Sequence, residues 1–127
     1  MRSSSTAKGN GLSDLPNIVG DAFQVPDFSQ LCVPNLTHKP RILMLYGSLR
    51  VRSYSWLLTL EAQRLLESFG AEVRIFHNIN LPLPNDAPDT HRKVQELREM
   101  MLWSEGQMWT SPERHGAMSA VLKSQID

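Results

Sequence analysis

RILMLYGSLRVRSYS, residues 41–55, reads as a buried strand, a tight turn and the start of a helix. Ile42 to Tyr46 form a short apolar run of the kind found in a parallel strand covered on both faces. Gly47 breaks the run and is expected to let the backbone turn sharply. Ser48, Arg50, Arg52, Ser53 and Ser55 follow, three hydroxyls and two guanidiniums. A helix beginning near Ser53 aims its free N–H groups back into that turn. Such a terminus, ringed by hydroxyls and arginines, is suited to an anion, most naturally a phosphate.

Two other phosphate loops are excluded. There is no G-x-G-x-x-G and no G-K-[ST] ending, so neither a dinucleotide turn nor a Walker loop is present. A dianionic monophosphate fits the residues better, with Arg50 placed to clamp it bidentately. Each charged hydrogen bond is worth about 1.5–3 kcal/mol and the helix terminus about 0.3–1 kcal/mol. The plainer alternative is that Ser53 only caps a helix and the arginines are solvated.

The 127 residues suffice for one domain. Lysine plus arginine and aspartate plus glutamate number 13 each, so the balance argues for neither nucleic acid nor an anionic membrane as partner. Cys32 is the only cysteine, which excludes an internal disulfide and makes a reducing cytoplasm the default. No run approaches a membrane span. The opening MRSSSTAKGNG lacks the apolar centre of a secretion signal and reads as a tail.

Residues 1–40 read as an N-terminal arm. Pro16, Pro26, Pro34 and Pro40 interrupt nine scattered apolar residues between Leu15 and Leu36. That mixture resists a long helix and a regular strand, yet is too apolar for a free tail. It is expected to lie along its own domain or a neighbouring subunit.

Residues 41–127 read as the domain. Tyr54 to Phe69 form a helix with Leu58, Ala62, Leu65, Leu66 and Phe69 inward, ended by Gly70. Ala71 to Phe76 form a second strand, giving a right-handed β-α-β unit. His77 to Asp89 is an Asn- and Pro-rich loop, and Asp89 or Thr90 is expected to cap the next helix. That helix runs to about Ser104 and buries Val94, Leu97, Met101 and Trp103. Gln107 to Thr110 form a third strand, Ser111 to Gly116 (SPERHG) a loop, and a last helix starts near Ala117 with Met118, Val121, Leu122 and Ile126 inward. Three parallel strands leave two long edges and enclose little core. The sequence therefore resembles the first part of a larger α/β domain.

In an open parallel sheet the loops at the strand C-termini line one crevice, so residues 48–55 and SPERHG should face each other. Pro112 stiffens the second loop, Gly116 admits a flat ligand to backbone N–H groups, and Glu113, Arg114 and His115 add polar edges. A solvated loop is the ordinary alternative. The four histidines, His38, His77, His91 and His115, show no metal-ligand spacing, so no metal site is expected. Glu96 and Glu99 read as solvated, Trp103 and Trp109 as packing residues, and no residue stands out as a catalytic acid, base or nucleophile.

LYGSLRVRSYS and WTSPERHGAMSAVLKSQID together resemble the NADPH-dependent FMN reductases of flavodoxin-like fold, and within them the ArsH arsenical-resistance group. GSLR with a nearby serine is common to many such reductases; GSLRxRSYS followed by SPERHGAM is far more specific. The resemblance spans about Leu15 to Asp127. It implies a doubly wound parallel sheet, of which this chain holds the N-terminal part of three strands. It also implies that Ser48, Arg50, Ser53, Tyr54 and Ser55 hold the phosphate of FMN, while Pro112, Glu113, Arg114, His115 and Gly116 line its ring. NADPH would be the reductant. A trivalent methylarsenical would be oxidised, or a quinone, azo dye or oxygen would be the electron acceptor, in a cytoplasmic homotetramer that binds no nucleic acid and no membrane. Thr110 stands where many ArsH sequences have cysteine, so no thiol role carries over to it. Two other functions fit the same residues: an inactive fragment acting only by subunit association, and a general NADPH-dependent quinone or azo reductase.

Overall fold

An apolar strand flanked by two others is the frame of the computed structural model, which describes residues 37–127. The expected arm, residues 1–40, lies almost wholly outside them. The elements are β1 (Arg41–Tyr46), α1 (Tyr54–Ser68), β2 (Glu72–Ile75), α2 (Arg92–Trp103), β3 (Gly106–Thr110), β4 (Glu113–Arg114), β5 (Ala117–Met118) and α3 (Ala120–Ile126). The main sheet has the order β2-β1-β3 and both pairings are parallel. This is the order expected at the start of a flavodoxin-like sheet. Among the described residues, no helix is long and apolar enough to cross a membrane.

Side chains alternate across β1. Leu43 and Leu45 face one way and join Phe76, Leu97 and Leu122 in a buried cluster against which Leu81, Met100, Met101 and Ile126 pack. Met44 and Tyr46, also buried, face α1, where the Tyr46 ring lies 4.9 Å from that of Trp56. Both sides of the central strand are thus covered, as its unbroken apolar run requires.

α1 packs by its small residues. Ser55, Thr59 and Ala62 are its buried positions, spaced four and three apart on one stripe. The Thr59 hydroxyl donates to the Ser55 carbonyl at 2.8 Å, which satisfies it away from water. Leu58 and Phe69, expected inward, are exposed instead. A close helix-sheet approach favours the stripe with the least bulk and turns the neighbouring leucine outward. The helix ends as the glycine foresees: Gly70 has φ +91, its N–H reaches Glu67 O, and the Ala71 N–H reaches Leu66 O.

Three local expectations are corrected. The cap of α2 is His91, whose Nδ1 accepts from the Lys93 N–H at 3.2 Å, and not Asp89 or Thr90. The His91 N–H bonds Pro88 O, so those two residues sit inside a turn, and the Asp89 carboxylate accepts from Arg98 at 3.1 Å. Residues 111–116 are not an open loop, because β4 and β5 pair antiparallel across His115 and Gly116. In consequence α3 starts at Ala120, capped by Ser119, and Met118 is exposed on β5. Of the residues expected inward on α2, Leu97 is buried, Met101 and Val94 are partly buried, and Trp103 lies under the Arg74 guanidinium at 4.0 Å.

At the opposite end of the sheet from these turns, Glu105 joins the segment before β1 to the start of β3. One carboxylate oxygen meets His38 Nε2 at 2.8 Å and the other accepts from the Arg41 N–H at 3.0 Å. The Arg41 amide, then His38, hold its pKa below the usual carboxylate range. A lowered carboxylate pKa contributes stability that is full above the unfolded-state value and is lost as pH falls through the folded-state value. We expect Glu105→Gln to be less stable than the parent near neutrality, and this difference to close as the solution is acidified through that range. Urea midpoints across the pH series measure it; a constant difference down to strong acid would contradict the pairing.

Candidate functional site

The C-terminal ends of β1 and β3 lie side by side, with Tyr46 opposite Thr110. One residue further on, the Gly47 N–H donates to Thr110 O at 2.8 Å and extends the pairing. Gly47 is required here for space. A Cβ on it would lie 2.5 Å from Ser119 Oγ, 3.0 Å from Ser111 Oγ and 3.1 Å from Leu122 Cβ. Its φ is not among the positive ones, so a sharp turn is not the reason for the glycine, contrary to expectation.

The turn that follows is organised by serines. Ser48 Oγ accepts from the Arg50 N–H at 3.2 Å. Ser53, in extended conformation, caps α1, its Oγ accepting from the Trp56 N–H at 3.0 Å. The Ser53 carbonyl takes the Leu57 N–H, which leaves the N–H groups of Tyr54 and Ser55 without an intrahelical acceptor. Arg50 and Arg52 are exposed and form no ion pair among the described residues. No carboxylate lies in residues 47–55. The first turn of α1 therefore offers donors in excess and no competing acceptor of its own charge.

The second cluster is a tight hairpin. His115 and Gly116 both have positive φ, 53 and 76, the signature of a type I′ turn. Glu113 Oε1 accepts from the Gly116 N–H at 2.8 Å and closes the hairpin tip. Glu113, Arg114, His115 and Gly116 are exposed and Pro112 is half-buried. The two clusters meet through Ser119, whose Oγ donates to Gly47 O at 2.7 Å, and whose N–H donates to Ser111 Oγ at 2.9 Å. Within the first cluster, Ser48 and Ser53 lie half-buried around the turn with Arg50 exposed beside them, Ser55 is buried, and Tyr54 stands 92% exposed.

Three residues that brace this region escaped the sequence reading. Asn78 Nδ2 donates to Tyr46 O at 2.6 Å, and Gln125 Nε2 donates to the same oxygen at 2.9 Å. Ser119 is the third. The signal for Ser119 was present, a serine just before an apolar helical pattern. Asn78 is one of several asparagines in the loop after β2, and nothing in the sequence marks Gln125. Tyr46 itself is buried, which pushes its phenol pKa up and keeps it neutral.

A cleft of about 200 Å³ adjoins the turn, lined by Tyr46, Ser48, Arg50, Trp56, His77 and Ile79 among others. A larger cavity of about 300 Å³ lies elsewhere, between the 81–89 loop, α2 and α3. Its one arginine, Arg98, is already paired with Asp89, and it offers no helix N-terminus. Size alone does not make it the better candidate; the convergent donors are at the turn.

Residues 40–127 match the model of a family described as NADPH-dependent FMN reductase. The chain is 61% identical over 115 residues to NADPH-dependent FMN reductase ArsH of Acidithiobacillus ferrooxidans, covering 90% of this chain and 48% of that protein. It is 59% identical over 114 residues to the protein of the same name from Rhizobium meliloti, covering 90% and 47%. A third of that name, from Shigella flexneri, is 59% identical over 88 residues, 68% of this chain and 34% of its own length. The chain thus spans about half the length of the first two relatives.

The crowding at Gly47 gives a direct test. Gly47→Ala should destabilise the fold by about 1–3 kcal/mol, since its methyl meets a buried hydroxyl and the backbone end of Leu122. Gly106→Ala should cost less, because its nearest neighbour is the flexible tip of Ile42 at 3.2 Å. Denaturant midpoints compare the two; equal losses would mean that the strand-end packing is looser than described.

Proposed function

This chain belongs to the NADPH-dependent FMN reductase family, and from that premise we propose that it takes part in flavin-dependent reduction at a site formed by residues 47–55 and 111–116. The observation that carries the reading is the donor set at the start of α1. Two amide N–H groups without an intrahelical acceptor, the Ser48 hydroxyl and the exposed Arg50 and Arg52 form a cationic, donor-rich turn with no carboxylate. That chemistry fits a dianionic monophosphate such as the one FMN carries.

In this reading Ser48, Arg50, Ser53, Tyr54 and Ser55 hold the phosphate. Ser53 acts mainly through the helix terminus that it caps, and Ser55 through its backbone N–H, since its side chain is buried. Pro112, Glu113, Arg114, His115 and Gly116 flank the ring. The rigid I′ turn sets the position of His115 and Gly116, and Glu113 secures it by holding the Gly116 amide. Donors near the edge of the ring would favour the negative charge of the reduced cofactor. Bound FMN would supply the hydride chemistry, taking two electrons from NADPH and passing them to a small acceptor.

The names of the relatives support an ArsH-type reductase; our reading extends this to arsenical resistance, with a trivalent methylarsenical oxidised at the expense of oxygen, or a quinone, azo dye or oxygen as the acceptor that is reduced. A cytoplasmic homotetramer is the assembly we propose. Formation of the pentavalent product from a trivalent methylarsenical with oxygen as oxidant, set against NADPH oxidation with a quinone or an azo dye, distinguishes an arsenical enzyme from a general reductase.

Arg50 should matter far more to the flavin than Arg64, which is engaged with Glu61 at 2.8 and 2.5 Å on α1. Loss of one charged hydrogen-bonding group at the turn costs about 1.5–3 kcal/mol, roughly 10- to 150-fold in affinity. We expect that loss for Arg50→Ala and less than about twofold for Arg64→Ala, in FMN titrations read by fluorescence quenching. Equal affinities in the two variants would remove the phosphate assignment.

A further inference from the structure

We propose that Ser119 is a positioning residue of the flavin site, holding the phosphate turn and the ring-side hairpin at one fixed separation. The inference rests on the flavin reading above. Capping α3 asks only that Ser119 Oγ accept a hydrogen bond, which it does from the Leu122 N–H at 3.2 Å. Its proton is then free for another partner, and it goes to Gly47 O at 2.7 Å, the first residue of the turn. The Ser119 N–H goes to Ser111 Oγ at 2.9 Å, and the Ser111 proton goes to Pro112 O at 2.8 Å, the first residue on the hairpin side.

The result is a continuous chain of hydrogen bonds from Gly47 through Ser119 and Ser111 to Pro112. It joins the two clusters. Ser119 is 6% exposed, so water competes little for these bonds. The geometry is tight as well as bonded, because Gly47 has no room for a Cβ against Ser119 Oγ. A ligand that engages only one cluster gains nothing from their fixed separation. A ligand that engages both gains from not having to order them on binding.

FMN and riboflavin separate these cases, since riboflavin lacks the phosphate and meets the hairpin side alone. Ser119→Ala should lower the ratio of FMN to riboflavin affinity roughly five- to tenfold, the scale of one buried hydrogen bond. Ser119→Thr keeps both donor and cap and should restore the ratio to within about twofold. Ser111→Ala leaves the α3 cap in place and should move the ratio in the same direction, which decides the matter if Ser119→Ala does not fold. Equal weakening of both flavins in the folded variants would show a merely structural role and overturn the proposal, as would an unchanged ratio. Failure of the parent chain to bind either flavin would instead bring down the flavin reading, and this inference with it.

Discussion

A parallel strand that ends inside a protein leaves carbonyl oxygens pointing at nothing, and the end of β1 is where this chain meets that constraint. Buried backbone acceptors must be paired. Here the partners come from three distant places: Asn78 after β2, Gln125 at the far end of α3, and Ser119 at its start. The same bonds that satisfy Tyr46 O and Gly47 O fix where the following turns begin. The candidate site therefore rests on polar bracing beneath it as much as on the apolar core.

That core is small and two-sided. Leu43 and Leu45 anchor one layer, Met44 and Tyr46 the other. Because α1 approaches through Ser55, Thr59 and Ala62, its N-terminus is brought close to the end of β1. Small side chains on that stripe thus serve position, and Leu58 beside it is left at the surface.

The strand, turn and helix of residues 41–68 were legible because apolar run, glycine and cap fall in an order with one economical reading. The parallel order of the strands followed from the β-α-β spacing. The hairpin within SPERHG was not legible, since a two-residue strand carries no periodicity and His115 gives no sign of positive φ. Periodicity also misplaced Leu58 and Phe69, because it ranks residues by bulk while the close helix-sheet contact selects against bulk. The residues proposed for the phosphate side were visible as a motif. Of the residues beneath them, Ser119 carried the signal of a helix cap, while Asn78 and Gln125 carried none, for a buried amide and a solvated one look alike in a sequence.

Two of these braces have a polarity of their own. The amide oxygens of Asn78 and Gln125 are buried without partners among the described residues, while both nitrogens donate to Tyr46 O. Neither amide can rotate without setting oxygen against oxygen. Replacing one NH₂ by an oxygen, as hydrolysis of the Asn78 amide would do, keeps the shape but removes the donor. The new carboxyl would have to retain a proton to remain where the amide was. A strand end now indifferent to acidity would then answer to it, through a change of a single atom that no measure of packing would register.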